Sequence, residues 1–217
     1  MSTNHLGDPM EFLVAATTQV PDGTPAEAVD DLRARVSARC RELARQGQLL
    51  RLWRAPSPPG RWRTLGLFAA ADDNALEQLL ASTPLRAWRT EEVTPLPVHP
   101  NDPTARLITP EPVSGGTAEF LQAITIRVPA DAPQRVVDDV LAREAERAGE
   151  LGAQGCLQRL HSGPGEPRVL ALWRTADTES LAAVLRSLPL HAWLQVDTTT
   201  PLHTHPDDPV SGSLAGR

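Results

Sequence analysis

Gln46 to Arg54, QGQLLRLWR, returns as Gln154 to His161, QGCLQRLH, each time at the end of a long amphipathic segment. Aligned on Gly47 and Gly155, the two stretches differ by 108 positions (155 − 47), and the same shift pairs Glu11-Phe12-Leu13 with Glu119-Phe120-Leu121. It also pairs Val20-Pro21 with Val128-Pro129 and Val29-Asp30-Asp31 with Val137-Asp138-Asp139. After a longer Pro-rich loop in the first copy the shift shortens to 105 (177 − 72), matching Asp72 with Asp177, Pro84-Leu85 with Pro189-Leu190 and Trp88 with Trp193. The closing Val98-His99-Pro100-Asn101-Asp102-Pro103 answers Thr204-His205-Pro206-Asp207-Asp208-Pro209. The chain is a tandem duplication of one small domain, with a period too long for a solenoid.

Within each copy the elements follow from hydrophobic period. Phe12, Val14, Ala16 and Val20 share one face of a strand. After the turn Pro21-Asp22-Gly23, Thr24 is placed to cap a helix with Pro25 at its first position and Glu27 three residues after the cap. Val29, Leu32, Val36, Cys40 and Leu43 form that helix's apolar stripe, and Gly47 ends it. Strands follow over 49–54 and 62–69, then a helix begun by Asp72 or Asp73 and stopped by Pro84, then a partly irregular strand over 88–98. The order strand, helix, strand, strand, helix, strand is the split βαβ arrangement, α+β in class, with both helices on one sheet face. The other face is apolar, so two βαββαβ ferredoxin-like units packed sheet to sheet as a fused α+β barrel are expected. The expected layout is a disordered leader over 1–9, domains over 10–103 and 118–209, a Pro/Gly/Ser-rich linker over 104–117 and a tail over 210–217.

Composition narrows the function. A net charge of −6 and a pI of about 5.5 argue against a nucleic-acid partner. Lysine and tyrosine are absent, which excludes Schiff-base chemistry, a Walker lysine and a tyrosine acid. Cys40 and Cys156 occupy non-equivalent places and read as free thiols, and no apolar run reaches membrane-spanning length. A soluble cytoplasmic protein acting on a small molecule is expected, with room for a homo-oligomer of the internal pseudo-dimer. His203, His205, Asp207 and Asp208 lack a third well-spaced ligand set, so no metal centre and no cofactor are read.

Gly47, Leu52, Trp53 and Arg54, the later Leu188-Pro189-Leu190 (Thr83-Pro84-Leu85 in the first copy) and the closing His-Pro together resemble the muconolactone Δ-isomerase family over nearly the whole of each copy. The resemblance implies a ferredoxin-like unit assembled through dimers into larger rings. It also implies a cofactor-free proton shift within an unsaturated lactone of aromatic degradation. Family members carry Lys and Glu in the middle of the first helix; here the first copy has Arg33 and Val36, while the second has Leu141 and keeps Glu144. Conversely, the first copy keeps Trp53-Arg54, which the second replaces by His161-Ser162.

Candidate residues follow. Glu144 lies on the inward stripe of its helix, where desolvation raises a carboxylate's pKa into the range of a general base, against the plainer reading of an ion pair with a nearby arginine. His99 and His205 are the candidate proton carriers, or tail caps. The substrate-binding candidates are Trp53, Arg54 and Trp62 in the first copy and Arg159 and His161 in the second. Arg54 is suited to clamp a carboxylate with two parallel N–H bonds. One pocket is expected to combine Trp53 and Arg54 with Glu144. Two other readings stand beside the isomerase: a cofactor-free cyclase or monooxygenase on the same scaffold, and a non-catalytic ligand-binding or scaffold pseudo-dimer.

Overall fold

The computed structural model describes residues 9–58, 61–103, 118–163 and 167–210. The expected linker therefore lies outside the described residues, as do the leader apart from Pro9 and the tail apart from Val210. The chain divides into two units, residues 1–96 with 203–217 and residues 97–202.

Unit 1 contains β1 (Met10–Thr18), α1 (Ala26–Arg45), β2 (Leu49–Ala55), β3 (Trp62–Ala70), α2 (Asp73–Ala81) and β4 (Arg89–Leu96). Its antiparallel strands run in the order β4-β1-β3-β2. This is the expected ferredoxin-like order. Phe12 stands opposite Phe68, Val14 opposite Gly66, and Leu52 opposite Gly66 from the other side. These residues share one face with Arg54, Trp62 and Thr64, because side chains alternate along a strand. Phe12, Leu43, Leu49, Phe68, Leu76 and Leu80 build the core between that face and the two helices.

Unit 2 repeats the plan with β5 (Ala118–Ile126), α3 (Gln134–Ala153), β6 (Leu157–Ser162), β7 (Arg168–Thr175), α4 (Thr178–Arg186) and β8 (Leu194–Thr204), the last contributing Leu194 to Leu202. The order is β8-β5-β7-β6, and the core holds Phe120, Ile124, Leu151, Leu157, Trp173 and Leu181. Among the described residues no helix is long and apolar enough to cross a membrane.

Gly47 and Gly155 close the long helices at φ of 69° and 71°. This left-handed conformation is one that glycine adopts without a Cβ clash. Asp72 and Asp177 cap α2 and α4 by accepting the N–H of Ala75 and Ser180, each at 2.7 Å. Thr24 does not cap α1: its hydroxyl donates to Pro21 O at 2.7 Å, and the helix starts after Pro25 without a side-chain cap. The preceding turn competes for that hydroxyl and wins.

The tails are exchanged between repeats. Unit 1 is completed by residues that close the second repeat, and unit 2 by residues that close the first. In unit 1 His203 and Thr204 pair with Arg54 and Trp53 on the edge strand β2, and His205 N–H donates to Leu52 O at 3.0 Å. Asp208, its side chain fully buried, accepts the Leu52 N–H at 2.7 Å and the Arg51 guanidinium at 3.1 Å. In unit 2 Val98 bridges to His161, His99 N–H donates to Leu160 O at 3.1 Å, and buried Asp102 accepts the Leu160 N–H at 2.6 Å beside Arg159 at 3.4 Å. Each tail caps an edge strand that would otherwise expose unpaired backbone groups.

Replacing Asp208 by Ala removes the buried carboxylate that accepts the Leu52 N–H and pairs with Arg51, so a loss on the order of 3 kcal/mol is expected in urea unfolding. Asp30→Ala, which removes only an exposed pair with Arg33, should change stability by less than about 0.5 kcal/mol.

Candidate active site

Each unit encloses a cavity between its sheet and its helices. In unit 1 it measures about 790 Å³. Its floor is the sheet face carrying Val14, Ala16, Thr18, Leu52, Thr64 and Phe68, and α1 forms the wall with Val36, Ser37 and Cys40. Val36 and Cys40 are only half-buried despite lying on the apolar stripe, because both border the cavity, Cys40 while also packing against the core. The rim is cationic, with Arg33 from α1, Arg54 from β2, Arg61 before β3 and Arg89 at the start of β4. Arg63 also borders the cavity, although strand alternation assigns its side chain to the other face.

Arg89 is committed to Glu91 and to Thr83 Oγ1. Arg33 pairs with Asp30 at 3.2 Å and stacks 4.4 Å over the ring of Trp62. Arg54 and Arg61 make no ion pair among the described residues. Among the described residues the one acid in the lining is Asp207, brought by the tail together with His205. Ser37 Oγ donates to Asp207 Oδ2 at 2.6 Å. His205 Nδ1 accepts the backbone N–H of Asp207 at 3.1 Å and lies 3.6 Å from Asp207 Oδ2. With Nδ1 accepting, the proton of the neutral ring sits on Nε2. Burial lowers the His205 pKa, with the Arg54 charge acting in the same direction and Asp207 and Asp208 opposing it. Cys40 is held as a thiol, pushed up to about 11 by burial and by Asp207, and is not a nucleophile.

The unit 2 cavity has the same position and a different character. It measures about 90 Å³. The repeat register explains the loss: Thr18 becomes Ile126, Arg33 becomes Leu141, Thr83 becomes Leu188, Arg89 becomes Leu194 and Phe68 becomes Trp173. In the opposite sense Val36 becomes Glu144. Glu144 lines the cavity with His99 and accepts the Leu190 N–H at 3.0 Å. Burial raises its pKa, against the Leu190 N–H and Arg147. His99 Nδ1 accepts the Asn101 N–H at 3.1 Å, and burial lowers its pKa against Asp102.

Arg54, Trp62 and His205 are thus brought to one cavity, and Glu144 and His99 to another. The expected pocket combining Trp53 and Arg54 with Glu144 is not what the lining residues describe. Trp53 lines neither cavity. It is adjacent to Arg54 in a strand and therefore faces the opposite side of the sheet, buried beneath the Arg51 guanidinium at 4.7 Å. Arg159 and His161 are likewise outside both linings and belong to the tail-docking edge, Arg159 beside Asp102 and His161 opposite Val98. Sequence reasoning passed over Arg61 and Ser37, and weighed Asp207 only as a metal ligand. Comparing the repeats position by position exposes part of the signal, because polar positions of the first helix and sheet become aliphatic in the second copy.

The family model described as muconolactone delta-isomerase matches residues 10–102 and again 118–208. Muconolactone Delta-isomerase 1 of Acinetobacter lwoffii is 30% identical over 92 residues, covering 42% of this chain and 93% of that protein. The muconolactone Delta-isomerase of Cupriavidus pinatubonensis is also 30% identical over 92 residues, with 97% of its length covered. Among solved structures, a chlorite dismutase variant from Candidatus Nitrospira defluvii superposes with a TM-score of 0.63 at 13% identity, covering 93% of this chain and 94% of that one. A heme-binding protein from Thermus thermophilus superposes with a TM-score of 0.59 at 13% identity, covering 95% and 96%. At this identity the likeness concerns the fold alone.

Both histidines have folded-state pKa values below their ordinary 6.5. The unfolded chain then binds more protons than the folded one just below pH 6.5. Their contribution is present above that value and lost as pH falls through the folded values. The urea midpoint should drop between pH 7.5 and 5.5, and drop less in the His99→Gln, His205→Gln double variant. Glu144, whose raised pKa acts in the opposite sense above pH 4.5, is common to both proteins and cancels in the comparison.

Proposed function

Given that the chain belongs to the muconolactone delta-isomerase family through both of its repeats, we propose that unit 1 is a cofactor-independent isomerase. It moves a proton next to the carbonyl of a carboxylate-bearing lactone or ketone. The observation that carries this reading is a cavity of about 790 Å³ whose rim holds uncommitted guanidinium groups and whose lining holds one carboxylate beside a neutral histidine. That volume lies in the range that encloses small-molecule ligands, roughly 300–1,000 Å³. The unit 2 cavity, at about 90 Å³, lies well below it.

Arg54 binds the substrate carboxylate through charge-assisted N–H bonds. Asp207 takes the proton from the carbon beside the carbonyl, leaving an enolate whose oxygen accepts a hydrogen bond from the Nε2–H of His205. The protonated Asp207 then returns the proton to the far end of the conjugated system, so the enzyme ends unchanged and the double bond has moved. Ser37 holds Asp207 in place throughout, and Trp62 forms the apolar wall against the ring. Glu144 and His99 line the unit 2 cavity of about 90 Å³, where Glu144 accepts the Leu190 N–H.

A second reading, binding without turnover, is favoured by Val36 standing where the other copy has Glu144. Incubation with muconolactone in heavy water separates the two. The isomerase should place deuterium on the substrate, seen by NMR, and Asp207→Asn should slow that exchange by about 10²- to 10⁴-fold. Arg54→Ala should raise KM about 10- to 100-fold, the value of a charge-assisted bond. Binding without exchange would overturn the isomerase and leave the binder.

A further inference from the structure

We infer that the unit 1 cavity takes a ligand with two anionic groups on an aromatic or alicyclic frame larger than a single lactone ring. Three arginines of its lining have no carboxylate partner among the described residues: Arg54 on β2, Arg61 on the loop before β3, and Arg63, whose side chain strand alternation assigns to the other face of β3. Arg33 adds to the cationic rim, because its pair with Asp30 is exposed and worth little. One carboxylate satisfies Arg54. Arg61 then retains a charge without a carboxylate partner among the described residues, and a ligand with a second anionic group supplies one.

Volume points the same way. A cavity of about 150 Å³ accommodates a six-atom ring, so a lactone acid of about ten heavy atoms needs roughly 250 Å³. The cavity measures about 790 Å³, three times that. Its added space lies between apolar and aromatic surfaces, with Leu52 and Phe68 on the floor and Trp62 at the mouth. A charged but otherwise flat hydrocarbon frame matches this lining. The second repeat supports the link between the arginines and an anion: it has Leu141, Ser162 and Leu194 where unit 1 has Arg33, Arg54 and Arg89, and its cavity has closed to about 90 Å³.

This inference rests on unit 1 being the ligand site but needs no turnover, so calorimetry on the full chain tests it apart from proton exchange. The probes are 2-naphthoate and naphthalene-2,6-dicarboxylate at low and high salt. The dicarboxylate should bind at least about tenfold more tightly, and the advantage should shrink as salt rises. Arg61→Ala should abolish the advantage while leaving 2-naphthoate affinity within about twofold. Arg54→Ala should weaken both ligands. Equal affinity for the two probes, or an advantage that survives Arg61→Ala, would overturn the dianion. Neither outcome bears on deuterium exchange with muconolactone, which tests the isomerase alone.

Discussion

A buried carboxylate holding a strand's backbone N–H is the interaction on which unit 1 depends. Asp208 has no exposed side-chain surface, and it survives there because Leu52 N–H and Arg51 offset its desolvation. The same residue also gives its carbonyl to His205 N–H. Both hydrogen-bonding groups of Leu52 are therefore satisfied by a segment more than 150 residues away in the chain. That docking delivers His205 and Asp207 to the cavity wall. Without it the pocket would keep its arginines and lose its acid and its imidazole together. Asp102, Leu160 and Arg159 repeat the arrangement in unit 2, so the latch is a property of the ancestral domain and precedes the differences between the two cavities.

Those differences are differences of lining on a shared scaffold. Core positions such as Leu43 and Leu151, or Leu49 and Leu157, are the same residue and equally buried in both copies. The changes concentrate where side chains border the cavity. Replacing threonines and arginines with leucine and isoleucine removes both the solvated heads and the charge that keeps a cavity open to water and anions. In that setting Glu144 is a carboxylate in a shrinking apolar space, which is why burial is the largest influence on its proton affinity.

The fold was legible because it is written in short-range signals repeated twice. Strand alternation in Phe12-Val14-Ala16, the glycines after each long helix and the aspartates before each short one all act within a few residues. A match at a constant shift confirms each of them. The exchanged tails were not legible, since Asp102 and Asp208 look like ordinary loop acids until a distant strand edge is placed beside them. The split of Trp53 from Arg54 was within reach of the sequence: neighbours in a strand face opposite ways, and treating the pair as one motif overrode that rule. Arg54, Trp62 and His205 were recognised as a set only in part, because what joins them is the tail. Thr24 failed as a cap for a local reason, a turn that uses its hydroxyl first.

Fusion of the two copies has a genetic consequence that follows from the exchanged tails. In an assembly of identical chains, every mutation lands on all sites at once, so a change that closes one pocket closes them all. Here each repeat encodes the body of one unit and the closing segment of the other, and the two pockets can drift apart while each still relies on its sibling for completion. A substitution in residues 203–208 alters the roomy cationic pocket without touching the body that encodes its walls.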